Sequence, residues 1–419
     1  MTMELRRMAA PWITADDAQV MLGVKIQTLQ SYVDRGLIER REDPDDFRQS
    51  QYSLQDINQL LRRKAVGATA CAPSDDSADP IVATGITTIL DGRPWYRGRD
   101  AVAWSDRATL EDTARLLWDC AEDPFLGLAP HPSTAVGSDA RARAFSVLAY
   151  RAATDTASSG RSEKVLKREA ASVLIDLVDA MCGASRNGLI HERLAKTWRL
   201  EGPRTDILRR CLVLCADHDL GPSTYVARVA ASTGASISAC ALSSLSTLSG
   251  PLHGGMTLQV AAFVAECRRT NDPRAAAALR LSQGLEVPGF GQSQYPAGDP
   301  RARSIAQALN FADDLREIAH AGESVTGVAP NLDFALVAAT RTLGLPVDAA
   351  FTLFVIGRTV GWIAHALEQR EAAKSLRLRS AYVGQRPGYL DPPKADPATT
   401  MDAKVISLDE AARAAGRNL

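Results

Sequence analysis

The 419-residue sequence lacks an excess of charge of either sign, because 48 Lys and Arg residues nearly balance 49 Asp and Glu residues. A chain without a positive field has no general attraction to nucleic acid or to an anionic membrane surface. It contains no run of about 18 apolar residues, so we expect no membrane span. The opening MTMELRRMAAPW contains no apolar stretch, from which we expect no secretory signal and a cytoplasmic protein.

Cysteine is scarce and scattered. The seven cysteines form an odd set without a Cys-x-x-Cys pair, which favours reduced thiols over a disulfide framework. Cys211, Cys215 and His218 stand at helical spacing and could offer three metal ligands, but no fourth ligand lies nearby in the sequence. The pattern therefore favours apolar packing and a separate role for His218, and we expect no metal cofactor.

Residues 1–66, which we call the head, have their own pattern of short elements. Thr14 is a plausible N-cap for a helix that Gly23 ends, and a second short helix ends at Gly36. A strand-loop-strand stretch and an amphipathic helix follow. The head resembles the winged helix-turn-helix modules of the MerR and excisionase type at Gly23-Val24, Thr28-Leu29, Gly36-Leu37, Tyr52 and Asp56.

The resemblance implies that residues 25–35 enter a DNA major groove and that Arg48 contacts phosphate. The charge of the head argues against strong binding, because residues 1–66 hold ten basic and ten acidic residues. Counterion release supplies most DNA affinity. Gln30 also stands where these modules often carry arginine. We expect at most weak DNA binding, and we favour a packing or partner-docking module.

The remaining chain divides into a linker at 67–79, a body at 80–395 and an irregular, proline-rich tail at 396–419. Apolar residues recur at the 3.6-residue helical period through most of the body, as in REAASVLIDLVDAM and FTLFVIGRTVGWIAHALEQ. Alternating β-type runs are few, and VATGITTI before Asp91-Gly92 is the best of them. The sequence therefore predicts a mainly α fold.

Three segments of the body contain residues suited to chemistry. In GPLHGGM, Gly254 and Gly255 are expected to turn the chain sharply, so that His253 lies at a helix N-terminus. The dipole there disfavours imidazolium and keeps the ring neutral. A neutral imidazole can donate a hydrogen bond to a carbonyl that becomes an enolate.

The other two segments begin helices. PGFGQSQYPAGDPRA has two glycines that expose a loop before a helix carrying Arg301. APNLDFALVA places Asp333 at the first turn of a helix, where a lone aspartate is most often a cap.

GPLHGG, GFGxxxYxxxDPRA and PNxDF, in this order, resemble motifs of the citrate synthase family. DGRPWYRG, ADHDLGPST, RTVGWIAHALEQ and RLRSAYVG extend the resemblance to about 315 residues of the sequence. It implies a mainly α, two-domain homodimer with the active site in the cleft between its domains. The small domain would span about 255–340.

The resemblance also implies roles for individual residues. Asp333 would remove a proton from the α-carbon of an acyl-CoA substrate, and His253 would hydrogen-bond the thioester oxygen. The enol would attack the ketone of oxaloacetate, and hydrolysis of the thioester would follow. An oxaloacetate-like dicarboxylate would be held by residues at the family's binding positions: His218, Arg301, Arg358 and, reaching into the neighbouring subunit's site, Arg377, although Leu378 replaces the usual proline.

The sequence departs from the family pattern after GFG. Gln292 stands in place of the histidine that polarises the ketone, and Ser293 removes a cation near the expected CoA phosphates. Glutamine can donate one N–H but cannot carry a proton. Loss of an oxyanion donor costs about 10²–10³ in rate. Ordinary citrate synthesis is therefore placed in doubt, while Asp333 and His253 are both present.

Three hypotheses remain open. The first is a citrate synthase-like acyltransferase that uses acetyl-CoA, propionyl-CoA or another acyl-CoA with oxaloacetate or another 2-oxo acid, without a cofactor. The second is a degenerate regulator that senses oxaloacetate or acyl-CoA and acts through the head. The third is a partner subunit that lends Arg377 to an intact paralogue.

Overall fold

The chain separates into two units, residues 1–80 with 378–419 and residues 81–377. The computed structural model describes most of the second unit and parts of the head. The described residues are 12–22, 24–34, 37–43, 49–54, 56–57, 82–128, 135–183, 187–372 and 375–376. The predicted helix ends at Gly23 and Gly36, the wing residue Arg48, the linker and the tail lie outside them.

The described part of the head contains a small sheet and two helices. Its elements are β1 (Trp12–Thr14), α1 (Ala15–Leu22), α2 (Ile26–Asp34), β2 (Arg40–Glu42) and β3 (Ser50–Ser53). β3 lies between β1 and β2, and both pairs are antiparallel. The Thr14 hydroxyl accepts the Asp17 N–H at 3.3 Å, as expected of an N-cap. Strand β1, which ends at that cap residue, was not predicted from the sequence.

A separate apolar core stabilises the head. Its buried side chains come from both helices, the sheet and the segments that follow α2 and β3: Ile13, Ala18, Leu22, Leu29, Ile38, Tyr52 and Ile57. Leu54, Asp56 and Ile57 are helical, which places the start of the predicted third helix, and its remainder lies outside the described residues. These elements have the predicted order, and the winged helix-turn-helix assignment remains a prediction.

The body begins with a three-stranded antiparallel sheet formed by β4 (Thr87–Leu90), β5 (Arg93–Tyr96) and β6 (Arg99–Asp100). Asp91 and Gly92 both have positive φ, of 51° and 68°. This two-residue connection favours a tight antiparallel hairpin. The strand predicted in VATGITTI is therefore present, but it is shorter than this alternating segment.

The rest of the described body is helical. Its first eight helices are α3 (Ala101–Ser105), α4 (Leu110–Leu117), α5 (Ala140–Thr154), α6 (Glu163–Cys182), α7 (Ile190–Trp198), α8 (Pro203–Cys215), α9 (Pro222–Ser232) and α10 (Ile237–Leu248). The next six are α11 (Met256–Thr270), α12 (Pro273–Ser282), α13 (Pro300–Ala308), α14 (Asp313–Thr326), α15 (Leu332–Thr342) and α16 (Ala349–Glu371). The mainly α prediction is confirmed. The small domain at about 255–340, which would contain α11–α15, remains a prediction.

Helix α16 lies at the centre of the body and packs on α8, α9 and α10. Its length and apolar composition would allow it to cross a membrane, yet its most apolar stretch is wholly buried inside the protein. We interpret it as a core helix. A Cβ at Gly357 would lie 2.7 Å from the Leu212 carbonyl oxygen, so this glycine permits the close approach of α8.

A polar row interrupts the apolar surface of α16. Arg358, Trp362 and His365 recur at four- and three-residue spacing, which places them on one side of a helix. All three are buried, and each forms a hydrogen bond to a residue of the segment 215–228. This row of α16 and that segment form one wall of the site described next.

Candidate active site

His253 lies in the turn that precedes α11. Residues 251–255 form the expected turn, although neither Gly254 nor Gly255 has a positive φ. A Cβ at Gly254 would lie 2.5 Å from the Leu248 side chain, and one at Gly255 would lie 2.7 Å from the Gly250 carbonyl oxygen. The glycines are required because this turn packs tightly against the end of α10.

The His253 ring is half-buried, and its Nε2 lies 2.8 Å from the Ser223 hydroxyl oxygen. Burial, with the positive charge of Arg358 acting in the same direction, lowers the pKa of His253 to about 4. The ring is therefore neutral at pH 7, as the sequence predicted. The causes are burial and Arg358, whereas the sequence argument had relied on the helix dipole.

Asp333 lies in the first turn of α15, but it is not the cap of that helix. The Asn331 side chain takes that role and accepts the N–H groups of Asp333 and Phe334. The Asp333 Oδ1 atom is buried without a hydrogen-bond partner in the described residues, although the residue keeps some exposure. Burial raises the pKa of Asp333 to about 7, Arg301 and Arg358 act to lower it, and Asp299 acts to raise it.

Arg301 is already paired with a carboxylate. Its Nε and Nη2 donate to the two carboxylate oxygens of Asp299 at 3.0 and 2.8 Å. Asp299 also accepts the N–H of Leu332 at 3.1 Å and thereby joins Arg301 to the start of α15. Both side chains are buried. The sequence predicted Arg301 as a site residue but not Asp299, which is the N-cap of α13.

Arg358 has no such partner. Its Nε donates to the Cys215 carbonyl oxygen at 2.8 Å, and no carboxylate of the described residues lies within ion-pair distance of its guanidinium. Burial lowers its pKa, while the negative charge of Asp217 acts against that change. A buried charge without a paired counter-charge costs several kcal/mol. An anion bound beside Arg358 would relieve this cost.

His218 lies two residues after Ala216, the C-cap of α8. Its Nε2 lies 3.1 Å from the Tyr295 hydroxyl oxygen. Burial lowers the pKa of His218 well below its usual value, and the charges of Arg301 and Arg358 act in the same direction. His218 is therefore a second neutral imidazole at the same site. The preceding Asp217 is buried and paired with His365 at 3.2 Å, which fixes the backbone here.

Gln292 lies in a loop that is attached to the start of α15. The Gly291 N–H donates to the Ala329 carbonyl oxygen, and the Asn331 side chain donates to the Gly291 carbonyl oxygen at 3.0 Å. The Gln292 side chain is partly exposed, and its one hydrogen-bond contact with a described residue is Ser293 at 3.4 Å. Its amide is thus available to a ligand.

Five of the seven predicted site residues lie close together, because charges within the group shift the pKa values of its members: His218, His253, Arg301, Asp333 and Arg358. Gln292 lies on the loop beside them, and Arg377 lies outside the described residues. Sequence reasoning missed Ser223 and Trp362, although Ser223 falls within the motif ADHDLGPST. Among the described residues no group of His, Cys, Asp and Glu side chains is arranged to hold a metal ion.

The chemistry available at this site is proton transfer beside an anion. A carboxylate with a pKa of about 7 can act as a base at neutral pH, and a neutral imidazole can stabilise the oxygen of an enolate. An unpaired buried guanidinium can hold a carboxylate substrate.

Comparisons with known proteins relate the chain to one family. The family model for the citrate synthase C-terminal domain matches residues 140–379, which is more than half of the chain. A citrate synthase of Haloferax volcanii is 36% identical over 186 residues, covering 42% of this chain and 49% of that protein. A 2-methylcitrate synthase of Shewanella oneidensis is 30% identical over 198 residues, covering 45% and 53%. The chain thus matches about half the length of each.

A solved structure shares the fold. It is the ternary complex of carboxymethyl coenzyme A and oxaloacetate with citrate synthase from Thermoplasma acidophilum. The alignment has a TM-score of 0.59 at 20% sequence identity and covers 75% of this chain and 97% of that one. At this identity the likeness concerns the fold alone.

Proposed function

The chain belongs to the citrate synthase family, and from this premise we propose that it condenses an acyl-CoA with oxaloacetate or a related 2-oxo acid. The acyl group would be acetyl or propionyl. The observation that carries the proposal is the Asp333 carboxylate, whose buried Oδ1 has no partner in the described residues and whose pKa is about 7. The reaction uses acyl-CoA as a substrate and calls for no cofactor.

The first step is removal of a proton from the α-carbon of the thioester. Ionised Asp333 takes the proton, and neutral His253 donates a hydrogen bond to the thioester oxygen as negative charge develops there. Burial favours this pair, because it raises the pKa of the carboxyl and lowers that of the imidazole. The enol carbon then attacks the ketone of the 2-oxo acid, and water cleaves the thioester to release CoA.

The second substrate is a dicarboxylate. Arg358 offers the unpaired charge, and His218 and Arg301 line the same site. Because Asp299 already neutralises Arg301, we assign the larger share of anion binding to Arg358. Gln292 stands where a histidine polarises the ketone in the family resemblance. The finer proposal is a reaction that is slowed on oxaloacetate or directed to a different 2-oxo acid.

The test measures CoA release from acetyl-CoA and propionyl-CoA with a panel of 2-oxo acids, together with calorimetric binding of oxaloacetate. Arg358→Gln is expected to weaken dicarboxylate binding by about 10- to 100-fold, the range for a charged hydrogen bond. Arg370→Gln is the control, because Arg370 lies on the same helix and also donates to backbone carbonyl oxygens.

Binding of oxaloacetate without CoA release from any acyl-CoA would contradict the enzyme proposal and support the sensing regulator. If the chain alone neither binds oxaloacetate nor releases CoA, the partner-subunit hypothesis remains. Equal effects of Arg358→Gln and Arg370→Gln on binding would show that Arg358 does not bind the dicarboxylate.

We propose a homodimer in which Arg377 of each subunit completes the partner's site. Sedimentation at micromolar concentration is expected to show a dimer. Mixed subunits carrying Arg377→Ala and Asp333→Asn should recover activity that neither variant has alone, because one site of the mixed dimer holds both native residues. A monomer, or mixed subunits that stay inactive, would contradict a shared site.

For the head we propose partner docking, with weak DNA binding at most. The two described wing arginines have partners within the head. Arg41 donates to Gln51 at 2.7 Å and lies 4.3 Å from the Trp12 ring centre, and Arg40 donates to Gln30 at 3.3 Å. Binding to mixed-sequence duplex DNA should be micromolar or weaker at physiological salt. Nanomolar affinity for one defined sequence would overturn this.

A further inference from the structure

Tyr295 lies in the loop that carries Gln292, and the proposed reaction gives it no role. Its side chain is buried. The Tyr295 backbone N–H donates to the Gln292 carbonyl oxygen at 2.9 Å, so the two residues close one tight turn. A restraint on the Tyr295 side chain is therefore passed to the residue that replaces the ketone-polarising histidine of the family.

The Tyr295 ring contacts two of the predicted dicarboxylate-binding side chains. The central carbon of the Arg301 guanidinium lies 5.2 Å from the ring centre, within the range of a cation–π contact. The centre of the His218 imidazole lies 5.5 Å from that of the phenol ring, and the two planes are tilted by 47°. Tyr295 thus packs on both side chains and restricts how they can turn.

The Tyr295 hydroxyl connects the Gln292 loop to the wall formed by residues 215–228. Burial raises the pKa of this phenol to about 12, so it is neutral at pH 7. Its oxygen lies 3.1 Å from His218 Nε2, and no other hydrogen bond of this hydroxyl occurs within the described part of the chain. Because an unpaired buried hydroxyl costs free energy, this contact favours one arrangement of the two side chains.

We propose that Tyr295 is a positioning residue of the dicarboxylate site, whose hydroxyl acts through His218 to set how His218 and Gln292 meet the 2-oxo acid. The inference rests on the proposed function, which assigns that substrate to this site. Among the described residues, neither a hydrogen bond nor a ring contact joins Tyr295 to Asp333 or His253. Loss of the hydroxyl should therefore affect the second substrate and spare the enolisation of the first.

The test separates these two steps. Tyr295→Phe keeps the ring beside Arg301 and removes only the hydroxyl. Oxaloacetate binding, measured by calorimetry, should weaken by about fivefold to tenfold, the size of one net hydrogen bond, and KM for the 2-oxo acid should rise by a similar factor. Exchange of the α-proton of bound acyl-CoA should change by less than about twofold, whereas a general loss of structure would lower both.

Thr113→Val is the matched control. The Thr113 hydroxyl is also buried and also contacts a ring nitrogen, because it accepts the Trp104 indole N–H at 3.1 Å. It lies on α4 and contacts none of the predicted site residues in the described part of the chain. Its removal should lower thermal stability by a similar amount and leave oxaloacetate affinity unchanged.

Two further measurements test the route through His218. In a His218→Ala background, Tyr295→Phe should have no further effect on oxaloacetate affinity, because the hydroxyl has already lost its partner. In ligand-free protein, the His218 ring resonances in nitrogen-15 NMR, assigned with the His218→Ala sample, should shift in Tyr295→Phe and stay in place in Thr113→Val.

Equal oxaloacetate affinity of the native protein and Tyr295→Phe would overturn the proposal and leave the proposed condensation standing. An equal loss from Tyr295→Phe in the native and His218→Ala backgrounds would also overturn it, since Tyr295 would then not act through His218. If affinity falls as expected while the native protein releases CoA from no acyl-CoA, the positioning role stands and the proposed condensation fails.

Discussion

Replacing Asp333 by asparagine is expected to lower α-proton exchange of bound acyl-CoA by about 10³-fold, within the range that a positioned general base contributes. The carboxylate that acts on the pKa of Asp333 is that of Asp299, and both of its oxygens are engaged by Arg301 and the Leu332 N–H. It cannot take over without breaking that pair. Deuterium incorporation from heavy water, followed by mass spectrometry, measures the exchange.

The same residue determines the pH dependence. Asp333 acts as a base only when ionised, and burial raises its pKa to about 7. Exchange by the native protein should therefore increase with pH through about 7 and level off above it. His253, whose pKa is about 4, stays neutral across this range and adds no inflection. A profile that levels off near pH 4 would show that Asp333 has an ordinary carboxyl pKa in solution.

Asp333→Asn should also stabilise the protein at high pH. The pKa of this carboxyl in the folded state is about 7, above the usual 3.8. Between these values the folded state binds more protons than the unfolded state, so native stability falls as pH rises. The asparagine side chain does not ionise, so the variant loses no stability in this way. At pH 8 the variant should gain about 1–3 kcal/mol of unfolding free energy, and below pH 4 the two proteins should match.

Asp313→Asn is the control for both effects. Asp313 begins α14 and its side chain is 94% exposed, so it shares the helix position of a first-turn aspartate without the burial. It should change neither the exchange rate nor the pH dependence of stability. Undiminished exchange in Asp333→Asn would mean that another group removes the proton.

Local sequence patterns predicted the helices of the body well. The 3.6-residue apolar period placed α6 and α16, because a helix in a helical core must bury one side or its whole circumference. Motif order brought His253, Asp333 and the two arginines together. The length of β4 and the presence of β1 could not be obtained in this way, since each depends on pairing with a partner strand.

The hydrogen bonds that tune the site were beyond sequence reasoning. Ser223 and Trp362 are 139 residues apart, and nothing in either segment specifies that they meet. The neutrality of His253 was predicted correctly from the helix dipole, yet burial and Arg358 produce it. Burial and charge in a site depend on what packs around it, which a local pattern does not contain.

Gln292→His is expected to raise CoA release with oxaloacetate by about 10- to 100-fold, less than the roughly 10²–10³ of a whole oxyanion donor, because glutamine already offers one N–H. The remaining groups are in place, since Arg358 acts electrostatically on both Asp333 and His253. The loop backbone is held by Ala329 and Asn331, so the new side chain should not displace it. Coupled measurement of free thiol gives the rate.

Gln294→His, an exposed position of the same loop, is the matched control and should have no effect. Ser293→Arg is tested in parallel. It restores a cation near the CoA phosphates, so it should lower KM for acyl-CoA and leave kcat almost unchanged. If Gln292→His instead loses the native reaction and gains nothing on oxaloacetate, the amide is matched to a different electrophile. An amide presents both a donor and an acceptor edge, so that substrate would carry a polar group beside its ketone that an imidazole cannot pair.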